Sequence, residues 1–253
     1  MIRLTAVAMA GLVLTGCASF SQDGGFDSVD KLTKDRIGQS PSYQRSADQA
    51  DSAATRVADL LKQPLTADSA VEVALLNNMD LQASYADLGI AEADLVRAGR
   101  LSNPSFTFGR LSGNGSVEID RAVVFNVLGL LTMPLAKEVG QRRFEATQFQ
   151  AAYESVGAAA EARKAFFEAV AAQQLVSYFG QVKAAADASN DLAKRMVLAG
   201  NFSKLAQMRE QSFYSDAVTN LAKSQHQAVA AREALVRALG LSGSQLDAMK
   251  QIG

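Results

Sequence analysis

The sequence predicts a mainly α fold: a long antiparallel helical hairpin of coiled-coil type, suited to be one stave of an α-barrel, with a single transmembrane β-hairpin. Three observations predict it. From Pro134 to Ala199 there is no further proline, glycine stands only at positions 140, 157 and 180, and alanine is abundant, so one unbroken helix is the natural reading. At 1.5 Å per residue that helix is roughly 100 Å long, too long for a globular domain. The helices read at about 66–98 and 203–239 together match that length, and about 25 residues between the first of them and Pro134 switch to a period of two.

Composition sets the frame. The chain has 253 residues, 48% of them hydrophobic but without tryptophan, which suits helix packing more than a deep globular core. Lys plus Arg is 25 and Asp plus Glu is 26, so charge gives no case for nucleic acid as a partner.

The N-terminus carries an address. A basic start at Met1–Arg3 and an apolar run from Leu4 to Thr15 lead into Leu14-Thr15-Gly16-Cys17, with the only cysteine of the chain. The run is shorter than the ~20 residues that span a bilayer. It resembles a bacterial lipoprotein signal (1–16), which implies lipidation of Cys17; Ala18 after it implies sorting to the outer membrane. An ordinary secretory signal with a chance cysteine is the bland alternative. Residues 17–63 are polar and sparse in large apolar side chains, so they read as an extended tether, with a short helix near Ser46–Leu61.

A helix is expected at 66–98. Thr66 is its N-cap, Val71, Ala74, Leu75, Leu81, Tyr85, Leu88 and Leu95 recur on one stripe, and Gly99 and Ser102-Asn103-Pro104 end it. Strands follow at 104–111 and 117–127. Phe106 and Phe108, then Val117, Ile119, Val123, Phe125 and Val127, alternate with small or polar residues across Gly113-Asn114-Gly115-Ser116. An isolated hairpin is marginal in water, whereas transmembrane strands have this length and alternation. Arg121 interrupts the apolar face and suits an interface. Glu118, Asp120 and Asn126 fall on the other face, facing the lumen of a barrel. A membrane barrel must close, so two strands per chain imply a homo-oligomer. The long helix (134–199), a tip at 200–203 and a return helix (203–239) follow, with a tail at 242–253.

The order of these elements and several local runs resemble the outer-membrane efflux proteins of the TolC type. The runs are Pro64-Leu65-Thr66 before Ala70-Val71 and Ala74-Leu75, then Asn77-Asn78 and Leu81, Ser102-Asn103-Pro104 before the first strand, Arg195 and Gly200 before Leu205 and Gln211, and Leu239-Gly240. Met79 stands where that family commonly has proline. The resemblance implies a lipid-anchored outer-membrane conduit reaching into the periplasm of a Gram-negative bacterium, fed by an inner-membrane transporter through a periplasmic adaptor. Residues 64–241 amount to one of the family's usual two repeats, so three copies of a family-like chain, or six of this half-length unit, would close the barrel. The resemblance makes the tip, Leu198, Gly200, Asn201, Phe202 and Ser203, the adaptor-docking site. It also makes Asp187 and Asp191 candidate carboxylates at the tunnel mouth; their bland reading is solvated helix surface, with Lys194 close enough to pair with Asp191.

Catalysis is not expected. His226, the only histidine, sits mid-helix, no glycine-rich phosphate loop follows a strand, and no metal or other cofactor is implied. The alternatives to a channel are a periplasmic coiled-coil adaptor or scaffold lipoprotein, and a truncated half channel without function.

Overall fold

The computed structural model describes residues 19–113, 116–243, 245, 246 and 249. Cys17 and the apolar run before it lie outside the described residues. The chain is mainly helical with one two-stranded antiparallel sheet: α1 (Phe26–Ile37), α2 (Ala47–Leu61), α3 (Ala67–Asn77), α4 (Met79–Ala98), β1 (Ser105–Gly113), β2 (Ser116–Val124), α5 (Val127–Leu198) and α6 (Lys204–Ala238). Two compact units share these elements, one formed by the residues up to Leu32 with Ala83–Ala152, the other by Thr33–Gln82 with Tyr153 onward.

Within the second unit, four helices close on one apolar core. Val57 and Leu61 of α2, Val73 and Ala74 of α3, Ala162, Ala165, Phe166 and Ala169 of α5, and Leu235 and Val236 of α6 are all buried there. Alanines at these α5 positions leave room for the neighbouring helices to approach, so part of the alanine enrichment is packing and not propensity alone. Thr66 caps α3 as the sequence suggested: its hydroxyl accepts the Ser69 amide at 3.1 Å, and the Ser69 hydroxyl accepts the Thr66 amide at 2.8 Å.

Several boundaries differ from the sequence reading. The segment read as a tether contains α1 as well as α2, and its first part is built into the first unit: Phe26 packs edge-on to Tyr85 at 5.0 Å, and Gln148 Nε2 donates to the Gly25 carbonyl at 3.0 Å. Those partners are remote in sequence, which is why a polar segment reads as free. The helix expected over 66–98 is two helices, because Asn78 is extended and its Oδ1 accepts the Asp80 amide at 2.9 Å, capping α4. Met79 is then the first residue of a helix, a position where proline is also accommodated.

β2 ends at Val124 and not at 127, and α5 starts seven residues before Pro134. The cause is Asn126, whose Oδ1 accepts the Gly129 amide at 2.8 Å and so starts the helix early. Pro134 therefore stands inside the helix, where it supplies no N–H to the Leu130 carbonyl. The tail is partly built into the second unit. Met249 is buried in its core, and Gln245 exchanges hydrogen bonds with Asn77 (Nε2 to Oδ1, 2.9 Å; Nδ2 to Oε1, 3.2 Å).

Candidate functional site

The hairpin is the first candidate surface. β1 and β2 are nine residues each and pair in a register that sets Phe106 opposite Val123, Phe108 opposite Arg121, and Arg110 opposite Ile119. Side chains alternate across a strand, so these six share one face, while Thr107, Gly109, Glu118, Asp120 and Ala122 share the other. Nothing in the described chain covers the apolar face: Phe106 is 69% exposed, Phe108 58% and Val123 55%. Neither strand has a second neighbour among the described residues. The exposed apolar surface continues past the sheet through Phe125, Val127, Leu128, Leu130, Leu131 and Leu135. A stretch of helix apolar and exposed on all sides is not a solvent-facing design.

The register changes two sequence expectations. Asn126 is not a lumen-facing strand residue; it lies beyond β2, and its side chain is engaged as the cap of α5. Arg121 is not the single exception on the apolar face. It lies toward the middle of β2, and Arg110 joins it on the same face. Both faces thus carry charge, so the facing of the sheet is decided by its large apolar side chains, which crowd the arginine-bearing face. Glu118 and Asp120 remain together on the opposite face, with Asp120 across from Gly109. The alternation in the sequence located this surface; Arg110 lay at the edge of the expected strand and was overlooked.

The tip is the second candidate surface. α5 ends in a Schellman turn: the Asn201 amide donates to the Met196 carbonyl at 2.9 Å and the Gly200 amide to the Val197 carbonyl at 3.0 Å. Gly200 has φ +75°, the left-handed conformation glycine adopts without strain. Ser203 caps α6 by accepting the Ala206 amide at 3.1 Å. These bonds hold the five residues named from the sequence in one tight turn, with Asn201 and Ser203 exposed and Phe202 half-buried. Leu198 is 89% exposed, and Leu205 and Met208 are exposed beside it on the next helix.

Asp187 and Asp191 lie one turn apart on α5, as their spacing required, but each has a lysine on its own helix. Lys183 Nζ is 3.2 Å from Asp187 Oδ2, and Lys194 Nζ is 3.4 Å from Asp191 Oδ1. The hydrogen bond to Asp187 holds the Lys183 ammonium above the ordinary lysine range. Lys183 also lies over the Tyr214 ring, 5.8 Å from its centre. The negative field expected from the two carboxylates is locally balanced. Sequence reasoning missed the neighbouring Asn190, buried between these residues, whose Oδ1 has no hydrogen-bond partner, and Ser189, whose hydroxyl donates to Glu210 Oε2 at 2.7 Å.

An open groove of about 1250 Å³ runs between α4 and α5 in the first unit, lined by Ile90, Leu135 and Val139 with Asp87, Asp94 and Arg143. Gly140 makes its floor possible, since a Cβ there would come within 3.3 Å of the Leu95 backbone. The groove gathers no acid and base around one point. Among the described residues no cluster of three His, Cys, Asp or Glu side chains could hold a metal, and His226 is exposed on α6. No helix among them is long and apolar enough to cross a membrane, which bears on helical spans only.

No family model matches this chain, and no curated protein matches it. A solved structure described as the crystal structure of a membrane protein from Pseudomonas aeruginosa shares its fold, with a TM-score of 0.60 at 19% sequence identity. The match covers 84% of this chain and 53% of that one, so the chain spans about half the length of the solved protein it resembles.

Proposed function

We propose that this chain is a lipid-anchored outer-membrane component of a TolC-type efflux or export conduit and that it works as an oligomer. The observation that carries the reading is the bare hairpin: two nine-residue strands, an exposed apolar face, and two edges without partners among the described residues. In water such a hairpin is marginal and prone to aggregate. In a bilayer it is stable only when other strands close it into a barrel, and in this reading further copies of the chain supply them.

The long α5 supports the same reading, because a helix on the order of 110 Å has use as a tunnel stave and none in a compact domain. So does the resemblance in fold to a membrane protein of about twice the length. In this reading Cys17 carries the lipid, Glu118 and Asp120 face the barrel lumen, and the tip around Leu198 and Gly200 docks a periplasmic adaptor fed by an inner-membrane transporter. The local lysine partners of Asp187 and Asp191 argue against a cation-selective ring at these positions.

The deciding measurement is the mass and conductance of the membrane-extracted protein. A detergent-solubilised oligomer of three or six copies that conducts ions in planar bilayers supports the conduit. A water-soluble monomer or dimer without conductance leaves the adaptor or scaffold reading, and a membrane-bound species that never conducts leaves the inactive half channel.

A further inference from the structure

Arg110 and Arg121 stand on diagonal neighbours of the hairpin, on the face they share with Phe106, Phe108, Ile119 and Val123. Diagonal positions are ~7–8 Å apart, within joint reach of one small anion for side chains of this length. Both arginines are exposed, and neither belongs to an ion pair among the described residues. The carboxylates of the hairpin, Glu118 and Asp120, lie on the opposite face and cannot neutralise them. Two unbalanced guanidinium groups on an apolar face call for an anion that the face itself lacks.

We infer that Arg110 and Arg121 form a binding site for the phosphate of anionic lipid headgroups, and that this site sets the depth of the hairpin in the bilayer. The inference rests on the membrane reading above. Nine-residue strands rising ~3.3 Å per residue at a tilt of ~40° cover about 23 Å, close to the ~25 Å height of a barrel's apolar band. A band centred on the strands would place both arginines near the bilayer midplane, where arginine is most costly. A shift of the band toward α5 brings them to the headgroups on the turn side.

The same shift immerses Phe125, Val127, Leu128, Leu130 and Leu131, which lie just beyond the sheet and are 49–74% exposed. The arginines at one level and the uncovered apolar residues at the other favour displacement in the same direction, and the exposed Arg100 and Asn103 before β1 limit its extent. Guanidinium is suited to the site because its planar fork of donors matches phosphate oxygens.

The test is flotation of the full chain with vesicles of phosphatidylcholine alone and with vesicles one-third phosphatidylglycerol. Each basic residue near an anionic surface contributes ~1 kcal/mol, so the pair predicts an affinity at least about tenfold higher for the anionic vesicles. Arg110→Gln with Arg121→Gln should remove that preference and leave binding to phosphatidylcholine unchanged. Arg110→Lys with Arg121→Lys should keep part of it. Arg209→Gln with Arg232→Gln, an equal loss of charge on α6, should keep all of it.

A preference that survives the glutamine pair, or disappears equally in the α6 control, overturns the site. Inorganic phosphate that binds the protein, and is lost in the glutamine pair, while flotation shows no preference for anionic vesicles, assigns the pair to free phosphate and overturns the lipid assignment. Equal flotation with both vesicles leaves the membrane reading standing and overturns the inference. Flotation with neither overturns both.

Discussion

The core around Phe166 and the hairpin with the start of α5 are both rich in large apolar residues, yet they do opposite things with them. Around Phe166, four helices from distant parts of the sequence bury Leu61, Val73, Leu235 and their neighbours almost completely. In the hairpin region, Phe106, Phe108, Phe125, Leu128 and Leu131 face outward without cover in the described chain. Burial on that scale is the dominant favourable term in folding. A region that forgoes it gains nothing from that term within the described chain, which is what the proposed membrane role asks of it. The first region folds the chain; the second stays bare in it.

The largest expected effect tests this division. Phe166→Ala removes a ring from a closed core and should destabilise the second unit by about 3–5 kcal/mol, read as a fall in thermal midpoint. Phe108→Ala, the same change on the bare face, should move that midpoint little in detergent and weaken vesicle binding. A comparable loss of stability at Phe108 would mean that the face is covered within the chain and would collapse the comparison.

Gly240→Ala is the next in size. Gly240 has φ +66°, and a Cβ there would lie 3.0 Å from the Asn77 carbonyl oxygen, where the ends of α3 and α6 meet. Strain of this kind costs about 1–3 kcal/mol. The loss should appear as faster hydrogen exchange at the last turn of α6, with the hairpin unaffected.

Asn126→Ala probes the other region. Removing the cap that starts α5 should cost about 0.5–2 kcal/mol locally and fray Val127–Leu131. Amide exchange at Gly129 would report it. Unchanged exchange there would show that the early start of α5 is held by something other than its cap.

The smallest effect is a pH dependence. The Asp27 amide donates to Asp23 Oδ2 at 3.0 Å, and this bond holds the Asp23 carboxyl below the ordinary carboxylate range. A carboxyl lowered on folding contributes stability that is present above its unfolded value and is lost as pH falls through its folded value. Acidification through and below the usual carboxylate range should therefore loosen the start of α1, read by exchange at the Asp27 amide. Asp23→Asn should remove most of that dependence.

Much of this was legible in the sequence, and the legible parts share a cause. The proline-free run after Pro134, the alternation of Phe106 and Phe108, the Thr66 cap and the Gly200 turn each depend on residues within a few positions of one another. Local backbone preference and side-chain period write such features directly into the chain. The same locality explains why Asp187 and Asp191 were seen on one face.

What the sequence could not decide depended on partners far along the chain. Residues 19–37 read as a tether because Tyr85 and Gln148, which hold them, lie more than fifty residues away. Asn77 read as one residue of a local run until the end of α6 came to lie against it, with Gly240 O 2.6 Å from its amide nitrogen. Asn126 counted as a strand residue until its side chain closed on Gly129. Arg110 fell into place only when the register fixed which residues of β2 it stands beside. The sequence by itself determined the two long helical runs, the hairpin and the tip, since those follow from neighbours along the chain. Tertiary structure alone decided which apolar faces are buried and which stay bare, because burial is a property of whatever the chain brings against a residue, and no local pattern contains it.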